Sequence, residues 1–171
     1  MVDLDFEVVD LGPADHPTEG EQAPDFTRPL VNEEYWNDAS LSALLDRGPV
    51  VLVFHPMDGA FPSTYTWNEI RDRGWSEFSP TVVGLSISTP YEHKRFIEER
   101  GIDHALFADP RNGVAEAYGI VNDLDGMAGI AEPRPAAFVI DAEGTIQYAW
   151  AATEWPEFPD YDAIEAAIDA L

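Results

Sequence analysis

The sequence predicts a single α/β domain with a mixed β-sheet, and three observations support this prediction. The continuous apolar run Val50–Phe54 is typical of a strand that helices cover on both faces. A second strand, predicted over residues 81–88, follows a helix predicted over residues 63–73, so the two strands should be parallel. Two apolar segments around Gly144 have the pattern of an antiparallel hairpin. A length of 171 residues fits one domain.

The remaining elements follow from helix-capping and turn residues. Thr89-Pro90 with Glu92 forms a capping box that opens a helix to about Arg100, and Gly101 ends it. The other predicted elements are a short helix from Asp109 to Tyr118, hairpin strands over residues 136–141 and 145–150, and a final helix, capped by Asp160, over Tyr161–Leu171. Residues 1–19, polar and rich in Pro and Gly, are expected to be a flexible lead-in to a domain at residues 20–171.

The charge balance is strongly acidic. Asp and Glu number 33 against 9 Lys and Arg, which gives a net charge of −24. Such a field repels nucleic acid and anionic lipid, so neither is expected as a partner. Molar salt would screen the self-repulsion of the chain, which predicts a protein of a salt-rich cytoplasm; the alternative is an ordinary acidic protein. The cytoplasm is the expected location because the sequence has neither a basic, apolar N-terminal signal nor an apolar run long enough to span a bilayer.

Composition also limits the chemistry. The 171 residues include no cysteine, which excludes thiol catalysis and disulfides. No compact metal-ligand motif is present. Residues 123–126 resemble part of a calcium-binding loop, but the first ligand position of such a loop would be Val121, whose side chain has no oxygen. We therefore expect neither a metal nor a cofactor.

Several motifs occur in an order that resembles one family, the alkyl hydroperoxide reductase/thiol-specific antioxidant peroxiredoxins, also called redoxins. The resemblance implies a thioredoxin-like fold and a peroxide-reducing ancestry. The segments that carry it are Gly20–Phe26, Val50–Pro56, Val82–Ser88, Asp109–Ile120 and Phe138–Asp141.

The resemblance also implies where the reactive residues should be. In the family, the site proline is followed at fixed spacing by a threonine and by the peroxide-attacking cysteine. Pro56 keeps the proline, but Ala60 stands at the threonine position and Ser63 at the cysteine position. The family's arginine position, just before the hairpin, holds Pro135, and Arg134 is displaced by one residue. Such a displacement at the start of a strand turns a side chain toward the other face.

These replacements predict that the family's reaction is lost, since it needs a thiolate that becomes a sulfenic acid. The favoured interpretation is a non-catalytic binding or assembly protein, with a homodimer, another protein or a small molecule as its partner. One such role would be to bind a peroxide or a partner peroxidase. The alternatives are a non-thiol enzyme and an engineered Cys-to-Ser form of a peroxiredoxin. The residues available to a non-thiol enzyme at the family's old pocket are His55, Asp58, Ser63 and Arg134.

Two local features have competing interpretations. Ser63 is expected to be a helix cap or a packing residue rather than a nucleophile, because no nucleophile-elbow motif surrounds it. The segment Trp155–Pro159 is expected to pack on the domain's own surface, with a protein interface as the alternative.

Overall fold

The computed structural model describes residues 7–124 and 126–171. In chain order the strands are β1 Val9–Asp10, β2 Thr27–Val31, β3 Trp36–Ser40, β4 Val50–Phe54, β5 Thr81–Ser86, β6 Ala105–Ala108, β7 Val121–Asn122, β8 Glu132–Pro133, β9 Ala136–Ile140, β10 Ile146–Ala151 and β11 Glu154–Trp155. The helices are α1 Leu41–Leu45, α2 Phe61–Asp72, α3 Pro90–Arg100, α4 Gly113–Ala117 and α5 Tyr161–Asp169, with a 3₁₀ turn at Trp75–Glu77.

The main sheet has seven strands in the order β10-β9-β4-β5-β6-β2-β3. Strands β4, β5 and β6 are parallel, and their neighbours on both sides run antiparallel to them. This arrangement confirms the predicted mixed sheet with a parallel part and a C-terminal hairpin. The sequence prediction missed β2, β3 and β6, which extend the sheet by three strands beyond the predicted set.

The core lies on both faces of the central strands. All five residues of β4 are at most 1% exposed, as the continuous apolar run predicted. Leu52 and Phe54 pack into one layer with Phe138, whereas Val51 and Val53 pack into the opposite layer with Trp67. Alternate side chains of a strand point to opposite faces, so covering both faces requires apolar residues at every position.

Most helix ends agree with the sequence signals. Helix α3 begins with the predicted capping box at Thr89 and ends at Gly101, whose φ is 60°. Helix α2 begins two residues earlier than predicted, at Phe61, because proline is tolerated in the first turn and Pro62 lies there. The predicted helix from Asp109 is shorter, Gly113–Ala117, since Asn112 adopts a left-handed φ of 60° just before it.

The N-terminal segment differs from the expected flexible lead-in. Strand β1 pairs with β11, and the backbone N–H of Leu11 donates to the carbonyl of Thr153 at 2.9 Å. Gly119 lies so close to the carbonyl of Asp15 that a side chain at this glycine would clash with it. Residues 7–19 are therefore part of the packed domain, and residues 1–6 lie outside the described residues. No helix in the described part of the chain is long and apolar enough to cross a membrane.

Candidate functional site

The candidate site lies where β4 ends and α2 begins, at the carboxyl end of the parallel strands. Ligands of open α/β sheets bind at this end of the strands. The loop of residues 55–60 joins the two elements, and it carries four of the residues singled out from the sequence: His55, Pro56, Asp58 and Ala60. Ser63 follows in the first turn of α2.

Ser63 is completely buried and its hydroxyl is already engaged. The Oγ of Ser63 donates to the carbonyl of Pro56 at 2.6 Å, with the carbonyl of Met57 at 3.1 Å. Ser63 is expected from the sequence to be a helix cap or a packing residue, and the cap position is occupied by Ala60, which has no capping side chain. Ser63 is instead a packing residue whose hydroxyl ties the helix to the loop that precedes it.

A buried histidine–aspartate–histidine network lies next to this serine. Asp58 Oδ1 is 2.8 Å from Nε2 of His55, and Asp58 Oδ2 is 2.6 Å from Nδ1 of His93 on α3. The side chains of His55, Asp58 and His93 are 1%, 5% and 0% exposed. The backbone N–H of Asp58 donates to Ser88 Oγ at 2.8 Å, which fixes the loop to the end of β5.

The outer hydrogen bonds assign the ring protons of the network. The indole N–H of Trp67 donates to Nδ1 of His55 at 3.1 Å, so the proton of a neutral His55 lies on Nε2 and is donated to Asp58. Nε2 of His93 is 2.9 Å from the carbonyl of Phe107, which can only accept. Both ring nitrogens of His93 therefore face acceptors, which is the pattern of a histidinium paired with the Asp58 carboxylate.

Burial and hydrogen bonding shift two pKa values in the network. Burial lowers the pKa of His55 and keeps the ring neutral, although Asp58 opposes this effect. Burial alone would raise the pKa of Asp58, but the hydrogen bonds that His55 and His93 donate to it outweigh this effect, so the pKa of this carboxyl lies well below its usual range. Asp58 is thus a buried carboxylate that its two histidine partners stabilise.

These three residues have ligand atoms within 4.8 Å of one another, a spacing at which metals can bind, but their hydrogen bonds do not fit a metal. A metal on Nε2 of His55 would require Nδ1 to carry the proton, and that nitrogen already accepts from Trp67. The ligand atoms also bond directly to one another, which leaves no central position for an ion. The arrangement is a hydrogen-bonded charge network.

Arg134 and Pro135 do not rebuild the family's arginine position. Nη1 of Arg134 donates to the carbonyls of Gly12 and Ala152, at 2.8 and 3.0 Å. Burial lowers the pKa of Arg134. The carbonyl of Pro135 accepts from the N–H of Ala152 at 2.8 Å. Among the described residues no hydrogen bond joins Arg134 to Ser63, so the arginine holds the N-terminal segment rather than the site.

A cavity of about 530 Å³ remains over the start of α2. Its walls are largely apolar, and two acidic residues, Glu7 and Asp58, also line it. The apolar lining residues are Met57, Ala60, Phe61, Met127, Trp155 and Pro156. We call this space the remnant pocket.

Aromatic side chains border the remnant pocket on one side. Phe158 packs against Phe61 and Tyr65 of α2, with ring centroids 5.8 and 6.4 Å away, so the segment 155–159 packs on the domain's own surface. Tyr65 and Phe158 nevertheless remain 53% and 37% exposed. The segment packs on the domain, and it also leaves an aromatic surface exposed. The geometry is therefore compatible with both expectations for the segment, packing on the domain's own surface and a protein interface.

Sequence reasoning brought His55 and Asp58 to the site but missed two residues that complete the network. His93 occupies a buried position in the first turn of α3, and Trp67 lies one turn after Ser63 on α2. The available signal was a histidine on the apolar face of a predicted helix, beside a strand that ends in the polar residues Ser86 and Ser88. That signal alone does not identify Asp58 as the partner.

The order and direction of the strands, with helices on both faces, define a thioredoxin-like fold. Comparison with solved structures supports it: the Mycobacterium tuberculosis peroxidoxin BcpB matches with a TM-score of 0.75 and 27% identity, over 91% of this chain and 99% of that one. The reduced Plasmodium vivax 2-Cys peroxiredoxin shares the fold with a TM-score of 0.75 and 21% identity, over 90% and 96% of the two chains.

The family is also clear at the sequence level. The AhpC/TSA family model matches residues 20–149, and the chain belongs to this family. The chloroplastic 2-cysteine peroxiredoxin of Chattonella marina var. antiqua is 30% identical over 76% of this chain and 68% of its own length. The wheat chloroplastic peroxiredoxin Q is 28% identical over 82% of this chain and 62% of its own length. The chain thus spans about two thirds of the length of these curated relatives.

Proposed function

We propose that this chain is a peroxiredoxin-like protein that has lost peroxidase chemistry and acts as a non-catalytic binding or assembly protein. The observation that carries the proposal is the state of Ser63. The chain has no cysteine, and the hydroxyl at the family's cysteine position is buried and donates to the Pro56 carbonyl. A hydroxyl held in this way is neither ionised nor accessible, and its oxygen cannot accept an oxygen atom from a peroxide as a thiolate does.

The proposal has two further supports. The neighbouring reactive positions hold Ala60 and Pro135, so three replacements have accumulated at one site; a change made to trap a catalytic form would replace the cysteine alone. The remnant pocket keeps an apolar lining, and ligand sites are typically concave and largely apolar with a few polar groups.

A non-thiol hydrolase is the weaker candidate. A serine nucleophile requires a base within hydrogen-bond reach. The two nitrogens of His55 are already committed to Asp58 and Trp67, and the hydroxyl of Ser63 donates to a carbonyl. Among the described residues, the geometry supplies no base for the serine.

We further propose that the protein works in a salt-rich cytoplasm, where screening makes a net charge of −24 compatible with a compact fold. This geometry supports two forms of binding. One is a small molecule in the remnant pocket, and the other is a homodimer or another protein partner at the exposed aromatic surface beside it.

The test is peroxide consumption by the purified chain with an excess of dithiothreitol and a chelator. We expect rates for hydrogen peroxide and an organic hydroperoxide that equal the buffer control, because no residue can form a sulfenic acid. Ser63→Ala is the matched control and should behave identically. Turnover by the unmodified chain that disappears in Ser63→Ala would overturn the proposal.

Binding requires its own measurement. Light scattering of the chain as it elutes from a sizing column in molar salt gives its molar mass. The same measurement on Phe158→Ala tests the aromatic surface. A dimer that dissociates in Phe158→Ala would establish assembly through this surface. A monomer in both would direct the proposal to the remnant pocket and its ligands.

A further inference from the structure

A second cavity is lined in part by Ser88, whose hydroxyl accepts from the backbone N–H of Asp58. Its volume is about 460 Å³, within the range of about 300–1,000 Å³ that ligand pockets occupy. Ser88, which follows β5, and Arg111 and Asn112, which follow β6, form part of its lining. The cavity is therefore at the carboxyl ends of two parallel strands, where open α/β sheets bind ligands.

Asn112 has an unsatisfied side chain in this cavity wall. The residue is 8% exposed, and neither the nitrogen nor the oxygen of its amide has a hydrogen-bond partner among residues 7–124 and 126–171. An unpaired buried polar group destabilises the fold, so such groups are rare in folded proteins. Because the amide makes no hydrogen bond, its rotation into the cavity would break none. A ligand that offered an acceptor would satisfy the donor nitrogen of this amide.

Two opposite charges border the same cavity. No salt bridge joins Arg111 to any residue within 7–124 or 126–171, although acidic residues outnumber basic ones by 33 to 9. In the described part of the chain, the carboxylate of Glu92 accepts only two long hydrogen bonds, at 3.3 and 3.4 Å, both from Thr89. A free guanidinium and a weakly engaged carboxylate on one cavity match a ligand that carries both an anionic and a cationic group.

We propose that this cavity binds a free α-amino acid with an apolar side chain. The carboxylate of the ligand bonds to Arg111 and to the rotated amide of Asn112, and its ammonium group faces Glu92. The apolar side chain packs against Met57, Ile87 and Ile130, which also line the cavity.

Overall charge favours a zwitterion over a simple anion. A ligand with no net charge enters the field of a chain of net charge −24 without long-range repulsion, whereas an anion does not. The cavity shares only Met57 with the lining of the remnant pocket over Ala60, so the proposal goes beyond the function proposed above and is tested independently of it.

The test is a titration of the full, isotope-labelled chain with leucine, followed by nuclear magnetic resonance in molar potassium chloride. We expect saturable shifts of the amides of Gly129 and Ala131, which line the cavity. Asn112→Gly and Arg111→Gln should each weaken binding at least about tenfold, the effect of losing one charge-assisted hydrogen bond of about 1.5–3 kcal/mol. Glycine suits the left-handed φ of 60° at position 112, so Asn112→Gly removes the amide without straining the backbone.

Arg47→Gln is the matched control, because it removes the same charge from an exposed arginine at the opposite end of the sheet, before β4. It should leave leucine binding unchanged. Isocaproate, which lacks the ammonium group, and isoamylamine, which lacks the carboxylate, should both bind more weakly than leucine.

Three results would overturn the proposal. The first is the absence of saturable shifts with leucine, and the second is equal leucine binding by the unmodified chain and both cavity variants. The third is isocaproate binding as strong as that of leucine, which would identify a simple carboxylate site in place of an amino-acid site.

Discussion

At the scale of single residues, the surroundings of Ser63 show why a restored cysteine would behave differently from the family's. Both hydrogen-bond partners of its hydroxyl are carbonyl oxygens, those of Pro56 and Met57. A carbonyl oxygen accepts from a neutral thiol but repels a thiolate. Ala60 has no hydroxyl to donate, and Arg134 is held by Gly12 and Ala152. The site therefore favours the protonated form of a thiol.

We expect the pKa of the new thiol in Ser63→Cys to lie at or above the free value of about 8.5, because burial and two carbonyls oppose the positive end of α2. The ultraviolet absorbance of the thiolate, followed against pH, measures it. A companion variant that adds Ala60→Thr and Pro135→Arg restores a hydroxyl and a guanidinium at the family's positions, and its thiol pKa should be lower. A depressed pKa in Ser63→Cys alone would show that the family's cationic pocket survives.

The second residue-scale prediction concerns the pH dependence of stability that His55 and Asp58 produce. The folded-state pKa of His55 is below the unfolded value of 6.5, so the unfolded chain takes up this proton first and stability falls as pH drops below about 6.5. The pKa of Asp58 is also lower when folded, so its contribution is present above the unfolded value of 3.8 and is lost as pH falls through the folded pKa. Urea unfolding from neutral to acid pH should show two stages of lost stability, the first from His55 and the second from Asp58.

Asp58→Asn separates the two stages. It should lower the free energy of unfolding at neutral pH by about 3–5 kcal/mol, since it removes the buried carboxylate to which both His55 and His93 donate. It should also remove the loss of stability that Asp58 causes below about pH 4. Asp38→Asn, at an exposed position on β3, is the control and should change little. If Asp58→Asn lost stability below about pH 4 as much as the unmodified chain does, other carboxylates would be the cause of that loss.

At the scale of elements, close packing between β5 and α2 positions the network. Gly84 of β5 lies beneath the indole of Trp67, and an added Cβ would overlap that ring and Leu106. The same indole donates to His55. The glycine thus lets the helix approach the sheet closely enough for Trp67 to fix the histidine ring.

Gly84→Ala should therefore destabilise the fold by roughly 1–3 kcal/mol, the usual cost of overpacking a core. Urea unfolding measures the loss. The double variant with Trp67→Phe should lose less than the sum of the two single changes, because the smaller ring makes room for the methyl group. Additive losses would show that Trp67 is not what the new methyl group meets.

The elements with strong local signals were predictable from sequence, and the others depend on distant contacts. The apolar run of β4 and the capping box of α3 gave the observed boundaries. Strand β2 contains Pro29 and is only partly buried, and β6 has only four residues, so neither has a strand pattern of its own. They form strands because β2 pairs with β3 along its length and β6 pairs with β5.

The candidate site also has one part that the sequence predicts and another that depends on distant contacts. The spacing from Pro56 located Ala60 and Ser63, because spacing within one loop is encoded locally. The contact of Asp58 with His93 joins residues 35 positions apart, and the bonds of Arg134 to the N-terminal segment span 122 positions. Only the folded chain brings those partners together, so periodicity and motif spacing could not reveal them.

At the scale of the whole molecule, the acidic surface dominates. Basic residues are few, and one of them, Arg73, contacts three acids: Glu69, Asp162 and Glu165. Most of the 33 carboxylates therefore have no basic partner available, since only 9 Lys and Arg are present. Their mutual repulsion is greater in the compact state than in the expanded unfolded chain.

Sodium chloride should therefore raise the melting temperature of the chain as its concentration goes from tens of millimolar to molar. Two mechanisms predict a rise, and their dependence on concentration differs. Screening acts early, because the Debye length is already about 8 Å at physiological ionic strength, so most of the gain should come by a few hundred millimolar. Strengthened apolar burial by excluded solutes rises steadily instead and should appear equally with sucrose, which carries no charge.

A steep early rise with sodium chloride and only a shallow rise with sucrose would establish charge screening as the cause. A control variant that replaces exposed acids with amides, such as Glu33→Gln with Glu34→Gln in the turn between β2 and β3, should need less salt to reach the same melting temperature. A melting temperature that sodium chloride does not change would show that the acids are not an adaptation to salt. The proposal of a salt-rich cytoplasm depends on that adaptation, because no other feature of the chain calls for a net charge of −24.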